Sequence, residues 1–340
     1  MARRRLNKKV AIIGSIILSV FILGLIVVFL KMSKDPDKLI SDAEMALSQN
    51  DYELADEYYK EAFGAARRDN DLKIEILFAL ADLHAADNEY HEAEWAKVRG
   101  AWSQIINLEP RNLEALNGLL TYFYEVGDFG NDNVWKTVEE YAQKVYDVHE
   151  ERGKEPDVFA LTALGRAKFK IAQTGQTTDR EGVLNEAVDY FERILEIDPD
   201  NRDVYFYLAE SELLRGQLQE SQGVIDAGER ATEKALSILD KAGENLGRDA
   251  EIELRMLDIK RRSEQLEPEE LEEQLKDLAG KYPQSGRVYS AMAQFYRQRT
   301  GHFDEAIESI EKAISLESDR INYAIAAVDI YYNKYVVEDD

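Results

Sequence analysis

The sequence predicts an all-α protein: about seven pairs of antiparallel helices stacked as a solenoid, closed by one further helix and preceded by one transmembrane helix. Three observations predict it. A phrase, EAVDYFERILEIDPDN at residues 186–201, places Ala187, Phe191 and Ile194 at i, i+4 and i+7, and returns as Ala55, Tyr59, Ala62 and as Ala306, Ile310, Ala313. Small, large and medium apolar residues on one stripe describe short helices packed closely together, and repetition of the stripe describes a stacked array. No window alternates with β-branched enrichment, so strands are not expected. Residues 10–30 form a run of 21 without a charge.

That run, VAIIGSIILSVFILGLIVVFL, would span about 30 Å as a helix, the thickness of a hydrocarbon core. It exceeds the apolar region of a cleaved signal, ends in LKMSKDPDK without a small-residue cleavage pattern, and so reads as a retained anchor. Arg3, Arg4, Arg5, Lys8 and Lys9 precede it, and only Lys31, Lys34 and Lys38 follow. Basic flanks stay inside, which puts residues 1–9 in the cytoplasm and everything after residue 30 beyond the cytoplasmic membrane. Residues 31–37 are a linker, 38–336 the solenoid and 337–340 an acidic tail.

Punctuation sets the pairs at 36–67, 72–110, 113–152, 157–199, 202–244, 248–282 and 286–317, with a last helix at 320–336. Pro110, Pro156, Pro199 and Pro283 each follow a helix that they cannot continue. Tight turns are expected at Asn50-Asp51-Tyr52, Asn88-Glu89-Tyr90, Gly127-Asp128-Phe129 and Gly301-His302-Phe303. In each, Asn or Gly takes the left-handed conformation and the aromatic tucks into the seam. Insertions are expected in the turns at 130–136 and 174–182, and along the second helices of pairs two and five at 95–101 and 222–232. The last helix, INYAIAAVDIYYNKYVV, is too apolar at Ala327, Val328, Tyr331, Val336 and Val337 for a plain solvent cap.

The chain has 340 residues, no cysteine and a net charge of −25. Disulfides, thiolate metal sites and cysteine nucleophiles are excluded. The first 38 residues hold eight Lys/Arg against two Asp/Glu, so the helical body is more acidic than the whole. Such a body repels phosphate backbones, and nucleic acid is not an expected partner. No nucleophile elbow, phosphate loop or metalloprotease helix occurs, and Asp128-Phe129-Gly130 lacks the other kinase motifs. Neither an enzyme, a small-molecule substrate nor a cofactor is expected. His84, His91, His149 and His302 are scattered, and the helix end and turn between His84 and His91 argue against a metal site. The acidic run around Glu267, Glu269, Glu270, Glu272 and Glu273 reads as the N-terminus of a helix opened by Pro268.

These residues resemble the tetratricopeptide repeat, which wants small residues at fixed helix positions, an aromatic in the second helix and a closing proline. Ala43, Ala55, Tyr59 and Ala62 match in the first pair. Leu164, Gly165, Ala187, Phe191 and Pro199 match in the fourth, and Ala293, Tyr296, Gly301, Ala306 and Ala313 in the seventh. Pair six keeps the periodicity without the signature residues. The resemblance implies a right-handed superhelix whose first helices line a groove for protein or peptide partners. Carried onto this chain, its groove positions are Phe78, Asp82, Asn117, Thr121, Tyr124, Phe159, Arg166, Phe169, Phe206, Glu210, Arg287 and Arg297. A register error of one would return Phe78, Phe159 and Phe206 to the core. Ile40 and Glu44 stand where a chaperone-tail clamp needs Lys and Asn, so that ligand class is not implied. The layout is similar to bacterial membrane-anchored repeat proteins serving envelope assembly, export or quality control. A cytoplasm-facing adaptor and the stalk of a larger membrane complex are the alternatives.

Overall fold

A computed structural model describes residues 35–263, 266–299 and 301–338. Among them are fifteen α-helices and no strand beyond an isolated bridge between Asn88 and His91. None of these helices is long and apolar enough to cross a membrane, and the run at 10–30 lies outside the described residues.

The first compact unit ends at Glu125. It holds α1 (Pro36–Ser48), α2 (Tyr52–Ala65), α3 (Asn70–Ala85), α4 (Trp95–Leu108) and most of α5 (Leu113–Asp128). The second begins at Val126 and holds α6 (Trp135–Glu151), α7 (Val158–Gln173), α8 (Arg180–Ile197), α9 (Arg202–Ser221) and α10 (Ala227–Leu246). It continues through α11 (Ala250–Arg262), α12 (Pro268–Lys281), α13 (Gly286–Arg297), α14 (Phe303–Leu316) and α15 (Ile321–Glu338). These helices coincide with the expected pairs and last helix within a few residues.

Aspartates start the helices. Asp51, Asp69, Asp157 and Asp179 accept the N–H of Leu54, Leu72, Ala160 and Gly182, at 3.1, 3.1, 2.8 and 2.9 Å. Part of the acidic composition is therefore spent on otherwise unpaired backbone donors. Pro268 opens α12 with Glu269 and Glu270 in its first turn. The repeated stripe is core throughout: Ala55, Ala62, Ala187, Phe191, Ile194, Ala306, Ile310 and Ala313 are all 0% exposed. Gly165 shows why position matters, because a Cβ there would meet the Phe191 ring at 2.7 Å. Without it, α7 and α8 close to ring-on-backbone contact.

The turns divide. Asn50 (φ 60°) and Gly301 (φ 88°) are left-handed, as expected. At the third turn the expectation is corrected. Gly127 remains helical and admits the Trp135 ring, 2.7 Å from where its Cβ would lie, while Gly130 (φ 97°) makes the reversal. Phe129 is 93% exposed and Trp135 fully buried, so the tryptophan delivered by the insertion takes the seam that Phe129 was expected to fill. Tyr90 is exposed as well. Pair two carries its extra residues in the turn at 86–94, ahead of a 14-residue α4, and the extra length of pair five is shared by both its 20-residue helices. The insertions of pairs three and four meet, Gln176 Nε2 donating to the Asp132 carbonyl at 2.7 Å.

Candidate partner-binding face

In the first unit, Asp82 and Thr121 are exposed, while Asn117 and Tyr124 are half-buried. Phe78 is half-buried against the core of pairs one and two. Asn117 Oδ1 is buried and has no hydrogen-bond partner. Buried carbonyl oxygens are costly to leave unmet, so this position favours an incoming donor.

In the second unit the expected groove positions are knitted across the facing first helices. Arg166 on α7 pairs with Asp128, and its guanidinium carbon lies 5.2 Å from the Trp135 ring centroid and 5.1 Å from that of Tyr207 on α9. Glu210 on α9 accepts two hydrogen bonds from Arg262 on α11, at 2.7 and 3.3 Å. Arg262 also meets Asp258 at 3.0 Å. The Glu210 hydrogen bond raises the Arg262 pKa above its ordinary value, which keeps it charged. One repeat on, Arg287 of α13 pairs with Glu251 of α11, and Arg297 reaches Asp329 of α15 at 3.6 Å. The face is a ladder of arginines, each already holding a carboxylate. Such half-exposed pairs contribute about 0.2–1 kcal/mol apiece, so they set charge and geometry more than stability.

Two expected groove aromatics are corrected. Phe169 and Phe206 are 6% and 4% exposed and belong to the cores of pairs four and five. Arg255 of α11 covers Phe206, its guanidinium carbon 3.9 Å from the ring centroid, so the cation is what the face presents there. Phe159, 38% exposed, stays at the surface. Sequence reasoning missed Glu251, Asp258 and Arg262 because pair six lacks the signature residues that set the register. Offsets counted from the start of α11 would have found them: Glu251 is its second residue and Arg262 its thirteenth, matching Arg287 and Arg297 near the two ends of α13. Beside Arg262 opens a cleft of about 630 Å³ lined by Leu213, Gln217, Glu220, Thr232, Ile259 and Ser263.

The far end is different. α15 buries Tyr323, Ala327 and Ile330 against pair seven. Tyr331 and Lys334 fasten it to Glu311 and Asp304, at 2.6 and 2.7 Å. Its outer side carries Ile321, Ile325, Val328, Tyr332 and Tyr335, between 55% and 73% exposed. Their spacing alternates four and three residues, the seam by which one helix lies along another.

The tetratricopeptide repeat family matches residues 286–320, which hold α13 and α14. Cellulose synthase operon protein C of Pseudomonas fluorescens is 25% identical over 148 residues, 44% of this chain and 10% of that protein. The matched stretch thus spans about a tenth of that relative. A tetratricopeptide repeat protein from Parabacteroides merdae is similar in fold, with a TM-score of 0.50 at 12% identity over 87% of this chain and 98% of its own. A thermophilic TPR protein from Thermus thermophilus gives 0.44 at 19% identity over 64% and 99%. Residues 286–320 thus match the tetratricopeptide repeat, and the signature residues of the other pairs are buried in helical hairpins of the same kind.

Proposed function

We propose that the chain is a non-enzymatic, membrane-anchored scaffold that binds protein or peptide partners outside the cytoplasmic membrane, in envelope assembly, export or quality control. The observation that carries the binding role is the outer stripe of α15, five large apolar residues at helix-pairing spacing. Contiguous exposed apolar surface of this kind marks interaction sites. The arginine ladder of α7, α9, α11 and α13 supplies a second, polar face, of the residue type enriched at interface hot spots. The uncharged run at 10–30 and the five basic residues ahead of it support the anchor and its orientation.

Crosslinking and pull-down of the intact protein from membranes tests the scaffold reading, and the expected result is a specific protein partner. Recovery of none would count against it. A reporter joined after Asp340 tests the side. Activity of a fusion that works only in the cytoplasm would sink the extracytoplasmic placement.

A further inference from the structure

The inserted turn of pair two assembles side chains that the scaffold role does not use. Between α3 and α4 the chain folds back on itself, Asn88 N–H donating to His91 O at 2.8 Å and Glu94 N–H to His84 O at 2.8 Å. The turn thereby returns His91 and Glu94 to the last turn of α3, where His84 sits. The intervening turn, which argued against a metal site in the sequence, is what brings the residues together. One ligand atom from each of His84, His91 and Glu94 lies within 4.8 Å of the other two. His84 Nδ1 stands 3.2 Å from Glu94 Oε2, and its Nε2 3.3 Å from Asp56 Oδ1 on α2.

Ordinary ion pairing does not account for the cluster. The His84 side chain is 5% exposed and lies between two carboxylates. Neither contact is aligned as a hydrogen bond. His84 Nδ1, His91 Nε2 and Asp56 Oδ1 are all buried without a hydrogen-bond partner. The two unmet imidazole nitrogens, beside the Glu94 carboxylate, ask for a common partner, and Asp56 stands behind His84 at its other nitrogen. Imidazole nitrogens and a carboxylate are donors that zinc takes, at about 2.0–2.2 Å each. Tetrahedral bonds of that length set donors about 3.4 Å apart, which His84 and Glu94 already satisfy. His91 sits half-buried on the turn, its ring stacked on that of Tyr52 with centroids 4.8 Å apart. Lys97 also holds Glu94, at 2.7 Å.

We propose that His84, His91 and Glu94 bind a zinc ion, with Asp56 orienting His84 through its far nitrogen. Carboxylates in that relation to a ligating histidine are a recurrent feature of zinc sites. The ion would tie the inserted turn to α3 and, through Asp56, to the pair before it. Because Lys97 shares Glu94, the affinity should fall short of closed four-ligand sites.

The test uses the full chain in detergent, freed of metal and titrated with zinc chloride against a chromogenic chelator. The expected result is one zinc per chain at micromolar or lower concentration. His91→Ala and Glu94→Gln should each weaken it at least about tenfold, and Asp56→Asn by about 10–100-fold. His149→Asn with His302→Asn, the other two of the four histidines, should leave it unchanged. Zinc should also raise the thermal midpoint of the native chain and not that of His91→Ala or Glu94→Gln. No uptake at micromolar zinc, or uptake that survives both ligand substitutions, overturns the proposal.

Discussion

Arg262 grips Glu210 with both terminal nitrogens, at 2.7 and 3.3 Å, across the facing helices α11 and α9. Both side chains remain more than a third exposed, at 39% and 35%. Solvent therefore screens the pair, and its coupling should be small. A double-mutant cycle of Arg262→Ala and Glu210→Gln, followed by denaturant unfolding, should return about 0.2–1 kcal/mol. A coupling of several kcal/mol would make the ladder a structural element rather than a displayed face.

Packing between paired helices should respond far more strongly. Phe191 is fully buried against Gly165, so Phe191→Ala is expected to cost about 3–5 kcal/mol. Gly165→Val drives a side chain into the same ring and should cost about 1–3 kcal/mol. Equilibrium unfolding of the two variants checks both values.

Asp249 anchors the pair that lacks signature residues, accepting from Glu251 N–H at 3.0 Å and Ile252 N–H at 3.1 Å. Asp249→Ala should cost about 1 kcal/mol, as N-caps do. Burial alone would raise its carboxyl pKa, but the Ile252 amide and the Arg202 ion pair outweigh it and hold the value below the usual range. A carboxyl lowered on folding contributes in full above its unfolded pKa, about 3.9, and the contribution fades as pH falls below that value. Unfolding at pH 7 and pH 3 should show Asp249→Asn losing less stability on acidification than the native chain.

On α15, Val328→Asp with Tyr332→Ser removes two stripe residues that are 67% and 66% exposed. Each change should alter stability by no more than about 0.5 kcal/mol. Partner recovery from membranes should nevertheless fall, because an introduced carboxylate cannot enter an apolar seam without losing its hydration. Unchanged recovery would move the binding role away from α15.

The helical pairs were legible because their signals are local. Ala187, Phe191 and Ile194 share a face at any register, Pro199 ends a helix wherever it falls, and Asn50 suits a left-handed turn by itself. What escaped depends on how insertions fold. Trp135 displaced Phe129 from its seam because the third turn carries seven extra residues, a competition that spacing alone does not show. Phe169 and Phe206 were placed one face away from where they pack, since a shift of one residue turns a helix by about 100°. The approach of His91 and Glu94 to His84 rests on backbone pairing at Asn88, which no helical period encodes. In the candidate face, the arginines expected from sequence are near the surface, but their partners on α11 lay in the least regular repeat.

The binding role is tested most directly by a photocrosslinking residue placed at Val328 in the full chain in its native membrane, with Glu192, exposed on α8, as the control position. A discrete adduct of constant mass from Val328 and none from Glu192 is the result this account predicts. Equal labelling from both positions, or no adduct from Val328, would contradict it.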